Sequence, residues 1–238
     1  MGRMFDYYCR GFGFDCLELN SSFYHLPSAK SMESLARRSP EGFHFVAKLN
    51  QAFTHNLAQC TPDLVRQFSQ GIAPLAEAGK LSGLLAQFPS GFLPSAEAKE
   101  WLLYLRDRLL PHPIFYEFRH RLWSHPNVFT FLSQENLGYC IVDLPSVIPL
   151  PTFVPTVTNG VGYLRLHGRN REWYQPSTSR YDYSYSDREL GSFLNRIERI
   201  TPSPGQFFIF FNNCHAGAAV RSAKRFRELA AGQEALAG

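Results

Sequence analysis

The stretch VGYLRLH, residues 161–167, carries the pattern that decides the fold. Apolar residues fill most of this run, and its two chargeable side chains, Arg165 and His167, come at the C-terminal end. Because residues two apart in a strand point to the same face, Arg165 and His167 are expected to share one face. The stretch therefore predicts a buried strand that ends in a polar environment.

Six more apolar runs of strand length follow the same design. They span residues 16–20, 43–49, 81–88, 114–120, 139–144 and 207–213. Helical patterns lie between most of them, at residues 29–38, 61–78, 96–109, 124–134, 186–200 and 216–230. Strands that are apolar on both faces and alternate with helices favour parallel pairing under a helical cover. The predicted fold is a TIM-like (β/α) barrel of the α/β class, formed by one domain over residues 1–238.

Composition excludes several classes of protein. Hydrophobic residues make up 45% of the chain and charged residues 18%, which argues against disorder through excess charge. The net charge of +4 does not by itself indicate a nucleic-acid partner. The five cysteines are scattered and form no C-x-x-C pair, and no apolar run approaches the roughly 18 residues of a membrane span. We therefore predict a cytoplasmic protein without a membrane partner.

Polar side chains recur where the predicted strands end. They are Glu18, Asn20, Lys48, Gln87, Glu117, Arg119, Asp143, Arg165, His167, Asn212 and Asn213. A charge in a buried strand is costly unless it meets a partner, water or a ligand. Parallel barrel strands bring their C-terminal ends to a common mouth, where enzymes of this fold place their active sites. This pattern predicts a polar pocket, although ion pairs of Glu117 with Arg119 and of Asp143 with Arg165 would also explain it.

The residue types at these strand ends suggest roles. We assign proton transfer to Glu117, His167 and Asp143, because carboxylates and imidazole are the usual acids and bases. Substrate binding is assigned to Glu18, Asn20, Lys48, Gln87, Arg119, Arg165, Asn212 and Asn213. No metal ligand and no cofactor is assigned. A divalent metal held by His120, His167, His215, Glu117 or Asp143 stays an open alternative, although their spacing matches no known motif.

Several motifs together resemble the YecE-like family, a domain of unknown function. The motifs are ELNSSFY at 18–24 with LP at 26–27, residues 43–48 with Thr54 and His55, QFP at 87–89, EFRH at 117–120 with Trp123, RLHG at 165–168, YDY at 181–183 and FNN at 211–213. The resemblance implies a TIM-like barrel and no established activity.

One feature departs from that family. Its members usually begin with a glycine-rich, Trp-containing strand segment before the helix that corresponds here to residues 4–12. The first strand is therefore expected to be absent, which leaves seven. The last strand, with FFIFF at 207–211, has no charge or proline to blunt an exposed edge. We therefore expect self-association through the seam that the absent strand would leave.

Three functions remain open at this point. The first is an enzyme, of hydrolase or of lyase or isomerase type, that acts on an anionic or polyhydroxylated substrate such as a phosphoester or sugar derivative by acid-base chemistry. The second is a nucleic-acid-binding or phosphodiester-cleaving barrel, suggested by the cations and aromatic rings at Arg169, Arg171, Trp173, Tyr174, Arg180, Tyr181 and Tyr183. The third is a degenerate, non-catalytic binding module. Fold alone does not separate them.

Overall fold

The computed structural model describes residues 2–174 and 181–237, so Arg180 of the predicted nucleic-acid loop lies outside the described residues. All seven predicted strands are present. They are β1 (Cys16–Leu19), β2 (His44–Lys48), β3 (Leu81–Gln87), β4 (Ile114–Glu117), β5 (Gly138–Asp143), β6 (Val161–Leu166) and β7 (Gln206–Phe211). The helices are α1 (Gly2–Asp6), α2 (Ala29–Arg38), α3 (Pro62–Glu77), α4 (Ala96–Arg108), α5 (Pro126–Gln134), α6 (Asp187–Ile197) and α7 (Ala218–Ala237). This is the predicted α/β fold of TIM-like type.

Two compact units divide the chain, Met1–Glu117 and Phe118–Gly238. In the first unit, β1 to β4 pair in parallel and in chain order. Phe45, Val46 and Ala47 are consecutive and all fully buried, so both faces of β2 are covered. Strands of this kind read as continuous apolar runs, which is why the sequence predicts them well.

Side chains fix the starts of several helices. Thr61 accepts a hydrogen bond from the Leu64 N–H, and Pro62 occupies the first turn of α3. Ser95 accepts from the Ala98 N–H at the start of α4. These contacts satisfy N–H groups that lack a partner within the helix. The predicted starts of these two helices are thereby confirmed.

The second unit holds β5, β6 and β7, again in parallel and in chain order. The proline-rich segment between β5 and β6 is fastened by Thr158, whose hydroxyl accepts from the Tyr139 N–H (2.8 Å) and donates to the Leu137 carbonyl (2.5 Å). Among the described residues, no helix is both long enough and apolar enough to cross a membrane.

Lys80 connects the end of α2 to the start of β3 in the first unit. Its Nζ donates to the carbonyl of Ala36 (2.8 Å), to the carbonyl of Ser39 (2.9 Å) and to the Ser39 hydroxyl (2.7 Å). Carbonyls at a helix C-terminus lack partners within the helix, and a cation there also meets the negative end of the helix dipole. Lys80 therefore caps α2 from outside the helix.

We predict that Lys80→Met lowers the free energy of unfolding by about 2 kcal/mol, because the acceptors lose a charged donor while the apolar stem is kept. Urea unfolding followed by circular dichroism measures the change. Lys30→Met on the exposed surface of α2 is the matched control and should change stability little. Equal effects of the two substitutions would show that the cap contributes nothing.

Candidate functional site

The strand register of the first unit places four of the predicted site residues on one face. Glu18 pairs with the residue two before Lys48, Lys48 pairs with the residue two before Gln87, and Gln87 pairs with Glu117. Residues in register on parallel strands point the same way, as do residues two apart. Glu18, Lys48, Gln87 and Glu117 therefore form one polar row at the C-terminal ends of β1 to β4.

Contacts within this row hold its polar groups in place. Lys48 Nζ donates to Gln87 Oε1 (3.1 Å) and lies 4.4 Å from the centre of the Phe23 ring. Asn20, just after β1, donates from Nδ2 to Glu18 Oε1 (2.9 Å). Glu117 is fully buried. The row thus combines a positioned cation, two amides and two carboxyl groups, a set that can bind a polar ligand or move a proton.

In the second unit, a different row forms at the ends of β6 and β7. Arg165 pairs with the residue two before Asn212, and His167 follows two residues after Arg165, so all three side chains share a face. Arg165 is 3% exposed and His167 is 1% exposed. The Asn212 amide, oriented with its oxygen toward the guanidinium, accepts from Arg165 Nε (3.1 Å) and from its terminal nitrogen (2.5 Å). A buried cation is thereby aligned by a neutral amide.

Arg119 and Trp173 surround the imidazole of His167. A terminal nitrogen of Arg119 lies 3.3 Å from His167 Nε2. A guanidinium can only donate, so Nε2 is the acceptor if this contact is a hydrogen bond. The Arg119 guanidinium also lies 5.3 Å from the centre of the Trp173 ring, which itself meets the imidazole edge to face at 6.0 Å. These contacts hold the imidazole beside a cation at the C-terminal end of β6.

Asp143 lies on the opposite face from Arg165. The register pairs Asp143 with Leu166, the neighbour of Arg165, so the prediction that Asp143 continues the same polar row is wrong. An ion pair of Asp143 with Arg165 is excluded for the same reason. Asp143 instead accepts from Arg169 Nε through both carboxylate oxygens (2.9 and 3.0 Å) and from the Tyr185 hydroxyl (2.7 Å).

The surroundings of Asp143 shift its pKa in opposite directions. Burial raises the pKa of Asp143 above its ordinary value, and hydrogen bonds from Arg169 and Tyr185 offset only part of that rise. Burial also opposes the charge on Arg169, yet the contact with Asp143 outweighs it and raises the pKa of the guanidinium. The geometry of two short hydrogen bonds to one guanidinium favours the ionised pair.

Further contacts extend this pair into a closed network. Arg169 also donates to Glu189 Oε1 (3.2 Å), which accepts from the Tyr183 hydroxyl as well (2.5 Å). Glu189 Oε2 accepts from the Ser186 N–H (2.9 Å), completing a capping box at the start of α6. The network fastens the loop after β6 to α6. Asp143 therefore has a structural role in this geometry, and its assignment as a proton carrier is not supported.

Asn213 also contacts residues close to the Asp143 network. It is fully buried, and its Nδ2 donates to the Tyr183 carbonyl (2.8 Å) and to the Ser222 hydroxyl of α7 (3.3 Å). Gly168 lies nearby with φ of +89°, and a Cβ there would approach the Tyr183 Cβ to 2.6 Å. The assignment of substrate binding to Asn213 stays a prediction, and in this structure its amide is engaged with the Tyr183 carbonyl and the Ser222 hydroxyl.

Sequence reasoning missed the residues that complete the Asp143 network. Arg169 and Tyr185 follow Asp143 by 26 and 42 residues, so no local pattern connects them. One signal was readable, since Ser186 three residues before Glu189 matches the capping-box pattern. As for metals, no three His, Cys, Asp or Glu side chains within residues 2–174 and 181–237 form a group that could hold an ion, so the metal alternative gains no support.

We predict that Arg169→Met lowers stability by roughly 2 kcal/mol at neutral pH, less than a fully buried pair would cost because the Arg169 side chain is 38% exposed. The substitution removes the cation that lowers the pKa of Asp143, so burial raises that pKa further. A carboxyl with a raised folded-state pKa favours folding when protonated, and this contribution is lost as pH rises through that pKa. The deficit of the variant should therefore grow from acidic to neutral pH.

Urea unfolding at several pH values measures this trend. Arg188→Met, on the exposed surface of the same helix that carries Glu189, is the control and should show no such slope. A deficit that shrinks toward neutral pH would contradict the assigned role of Arg169.

Comparison with known proteins identifies relatives along nearly the whole chain. The family model described as "Protein of unknown function DUF72" matches residues 2–237. The UPF0759 protein YunF of Bacillus subtilis is 26% identical over 234 residues, which cover 91% of this chain and 83% of that protein.

Two solved structures share the fold. A DUF72 family protein from Thermotoga maritima superposes with a TM-score of 0.86 at 32% identity, covering 94% of this chain and 87% of that one. A DUF72 family protein from Enterococcus faecalis gives a TM-score of 0.83 at 25% identity, covering 90% of this chain and 84% of that one. The family model and the relatives agree, and the chain therefore belongs to the DUF72 family.

Proposed function

We propose that the protein is an enzyme that acts on an anionic substrate, a phosphoester or a sugar derivative with an acidic group, by acid-base chemistry. The observation that carries this proposal is the 3.3 Å contact of Arg119 with His167, on the face that also holds the buried Arg165. Both His167 and Arg165 lie at the C-terminal end of β6, the end at which TIM-like enzymes carry their catalytic groups.

The two arginines suit an acidic group of a substrate. Arg165 is buried and aligned by Asn212, so its charge acts in a medium of low dielectric constant, where attraction for an anion is strong. Arg119 is half-buried and rests on Trp173. Planar guanidinium groups match the oxygens of phosphates and carboxylates.

His167 is the proposed proton carrier of the second unit. Its Nε2 lone pair accepts a hydrogen bond from Arg119. An anion that draws the Arg119 guanidinium toward itself releases Nε2, which can then take a proton from the substrate. Substrate binding and proton transfer are coupled in this proposal, because one guanidinium serves first the imidazole and then the anion.

The row of the first unit supports a parallel assignment. Glu117 is its proposed proton carrier, because it is a fully buried carboxyl group. Lys48 and Gln87, which hydrogen-bond each other, and Glu18 and Asn20, which do likewise, are proposed to bind polar groups of a ligand. Hydroxyl groups of a sugar would suit these amides and carboxylates.

Two rings of the aromatic loop, Trp173 and Tyr183, favour a small molecule over a nucleic acid, although Tyr174 is 53% exposed. Trp173 is 5% exposed and packs on Arg119 and His167, so its ring faces are not presented to bases. The Tyr183 hydroxyl is held by Glu189. Proteins that bind single strands need exposed aromatic faces for stacking. These contacts are better suited to a loop that covers the C-terminal ends of the strands than to a surface that stacks on bases.

Finer points of the sequence interpretation remain proposals. Within the DUF72 family, we infer a YecE-like protein from the motifs ELNSSFY at 18–24 and RLHG at 165–168. The absent first strand, self-association through the seam, a hydrolase, lyase or isomerase type of reaction and a cytoplasmic setting stay predictions.

We predict that a hexose phosphate binds at least about tenfold more tightly than the unphosphorylated hexose, and that Arg119→Ala or Arg165→Ala removes this difference. The loss follows from removal of a charge-assisted hydrogen bond. Isothermal titration calorimetry measures the affinities, with Arg227→Ala on the exposed surface of α7 as the control. Affinity that the control lowers as much as the site variants would indicate diffuse charge attraction. DNA binding that is strong and falls steeply with salt would favour the nucleic-acid alternative.

We predict that His167→Gln abolishes turnover of any phosphoester or sugar derivative that the protein converts, while affinity for the hexose phosphate changes only a few-fold. Glutamine keeps a polar group of similar length but cannot carry the proton. A panel of sugar phosphates assayed for conversion, beside calorimetry, separates the two effects. Unchanged turnover in His167→Gln would remove the imidazole from the mechanism, and absence of any turnover in the parent protein would favour the binding module.

A further inference from the structure

A second concave site lies in the second unit, apart from the row of Arg165 and His167. It has a volume of about 470 Å³, and its lining comes from the end of β5, the segment that follows it, and the loops after β4 and β6. This volume is in the range of roughly 300–1,000 Å³ that is typical of small-molecule sites. The cavity contains Asp143, whose side chain is on the face opposite Arg165.

The wall formed by residues 144–153 is mainly apolar. Leu150 and Phe153 belong to it, and Ile148 on its rim is 75% exposed. Single exposed isoleucines are common, but here the side chain borders a cavity whose other apolar groups line the same wall. An apolar body placed in the cavity would cover Ile148 and remove it from water.

The charges around the cavity leave one net positive charge. Arg169 is paired with Asp143 and also contacts Glu189. Arg196 donates to the Phe153 carbonyl (3.0 Å) and lies 4.2 Å from the centre of that ring. Among the residues that line the cavity, Arg121 and Arg169 are cations and Asp143 is a carboxylate. A monoanion would balance this set, whereas a phosphate dianion would exceed it.

Arg121 is the cation best placed to meet such an anion. Its backbone N–H donates to the Pro149 carbonyl (2.8 Å), which fixes the residue against the apolar wall. Its side chain is exposed, and across residues 2–174 and 181–237 its guanidinium makes no hydrogen bond or ion pair with another side chain. Its planar donors therefore remain available for a carboxylate.

We propose that this cavity binds a small carboxylic acid with an apolar body. The carboxylate is held by Arg121, and the apolar body packs on Ile148, Leu150 and Phe153. Arg169 lines the site but is not assigned to the ligand, since its own charge is already matched by Asp143. The site is independent of the proposed enzyme chemistry at His167, because the two use different residues and opposite faces of β5 and β6.

Three probes with the same phenylpropyl body test the proposal: 4-phenylbutyrate, its amide, and 3-phenylpropyl phosphate. In calorimetry, we expect the carboxylate to bind in the micromolar to millimolar range and at least about tenfold more tightly than either of the others. Arg121→Ala should weaken it at least about tenfold, Arg121→Lys less, and Ile148→Ala several-fold. Arg188→Ala, which removes an exposed arginine of α6 outside the cavity lining, is the matched control and should leave the affinity unchanged.

Amide chemical shifts locate the bound probe. We expect the largest changes in residues 144–153, with little change at Arg165, His167 and Asn212. The proposal is overturned if the amide binds as tightly as the acid, if 3-phenylpropyl phosphate binds more tightly, or if Arg121→Ala binds as well as the parent. Absence of binding at millimolar acid, or changes confined to Arg165 and His167, would also overturn it. None of these outcomes removes hexose phosphate binding by Arg119 and Arg165, so the two proposals fail separately.

Discussion

Parallel pairing in a fixed register is the constraint on which the rest of this structure depends. Backbone groups in strands as deeply buried as β2 can find partners only on neighbouring strands, so the hydrogen-bond ladder must be complete. Side chains alternate along each strand, and a slip of one residue would turn every one of them to the other face. Which polar side chains meet at the strand ends is therefore decided by the ladder. Lys48 and Gln87 meet, whereas Asp143 and Arg165 do not, for this reason.

The elements could be predicted from sequence because their signals are local. A strand covered on both faces reads as an unbroken apolar run, and β5, with every residue buried, lies within one residue at each end of the predicted stretch 139–144. Helix starts depend on contacts within four residues, such as that of Ser95 with the Ala98 N–H. Lys80 shows the limit of such signals, because it caps α2 from more than 40 residues away. Sequence offers no spacing rule for a contact of that kind.

The sequence predicts only in part which face of its strand each polar side chain points to. When both faces of a strand are apolar, alternation no longer tells which row points where. In β5 the row of Ile141 and Asp143 is as buried as the row of Cys140 and Val142. The sequence pattern therefore does not show which face of the strand the Asp143 side chain points to. Its direction depends on where a compensating cation lies, and Arg169 is supplied by a distant loop. Glu18 and Lys48 were easier to place on one face, because in both cases a charge ends an apolar strand run and the register puts the two side chains in the same row.

Two arginines of the second unit, Arg169 and Arg119, contact partners of different kinds, a carboxylate and an imidazole, and this difference bears on their proposed roles. Asp143 receives three short hydrogen bonds, and the Tyr185 hydroxyl that donates one of them also accepts from the Gly168 N–H (2.8 Å). Exchange of any partner there would leave another buried group unsatisfied, which is expensive. Arg119 meets the His167 imidazole at a longer distance, 3.3 Å. A carboxylate pairs with a guanidinium more strongly than a ring nitrogen does. The network around Asp143 therefore resists exchange and keeps α6 in place, whereas we propose that an anionic ligand competes with His167 for Arg119.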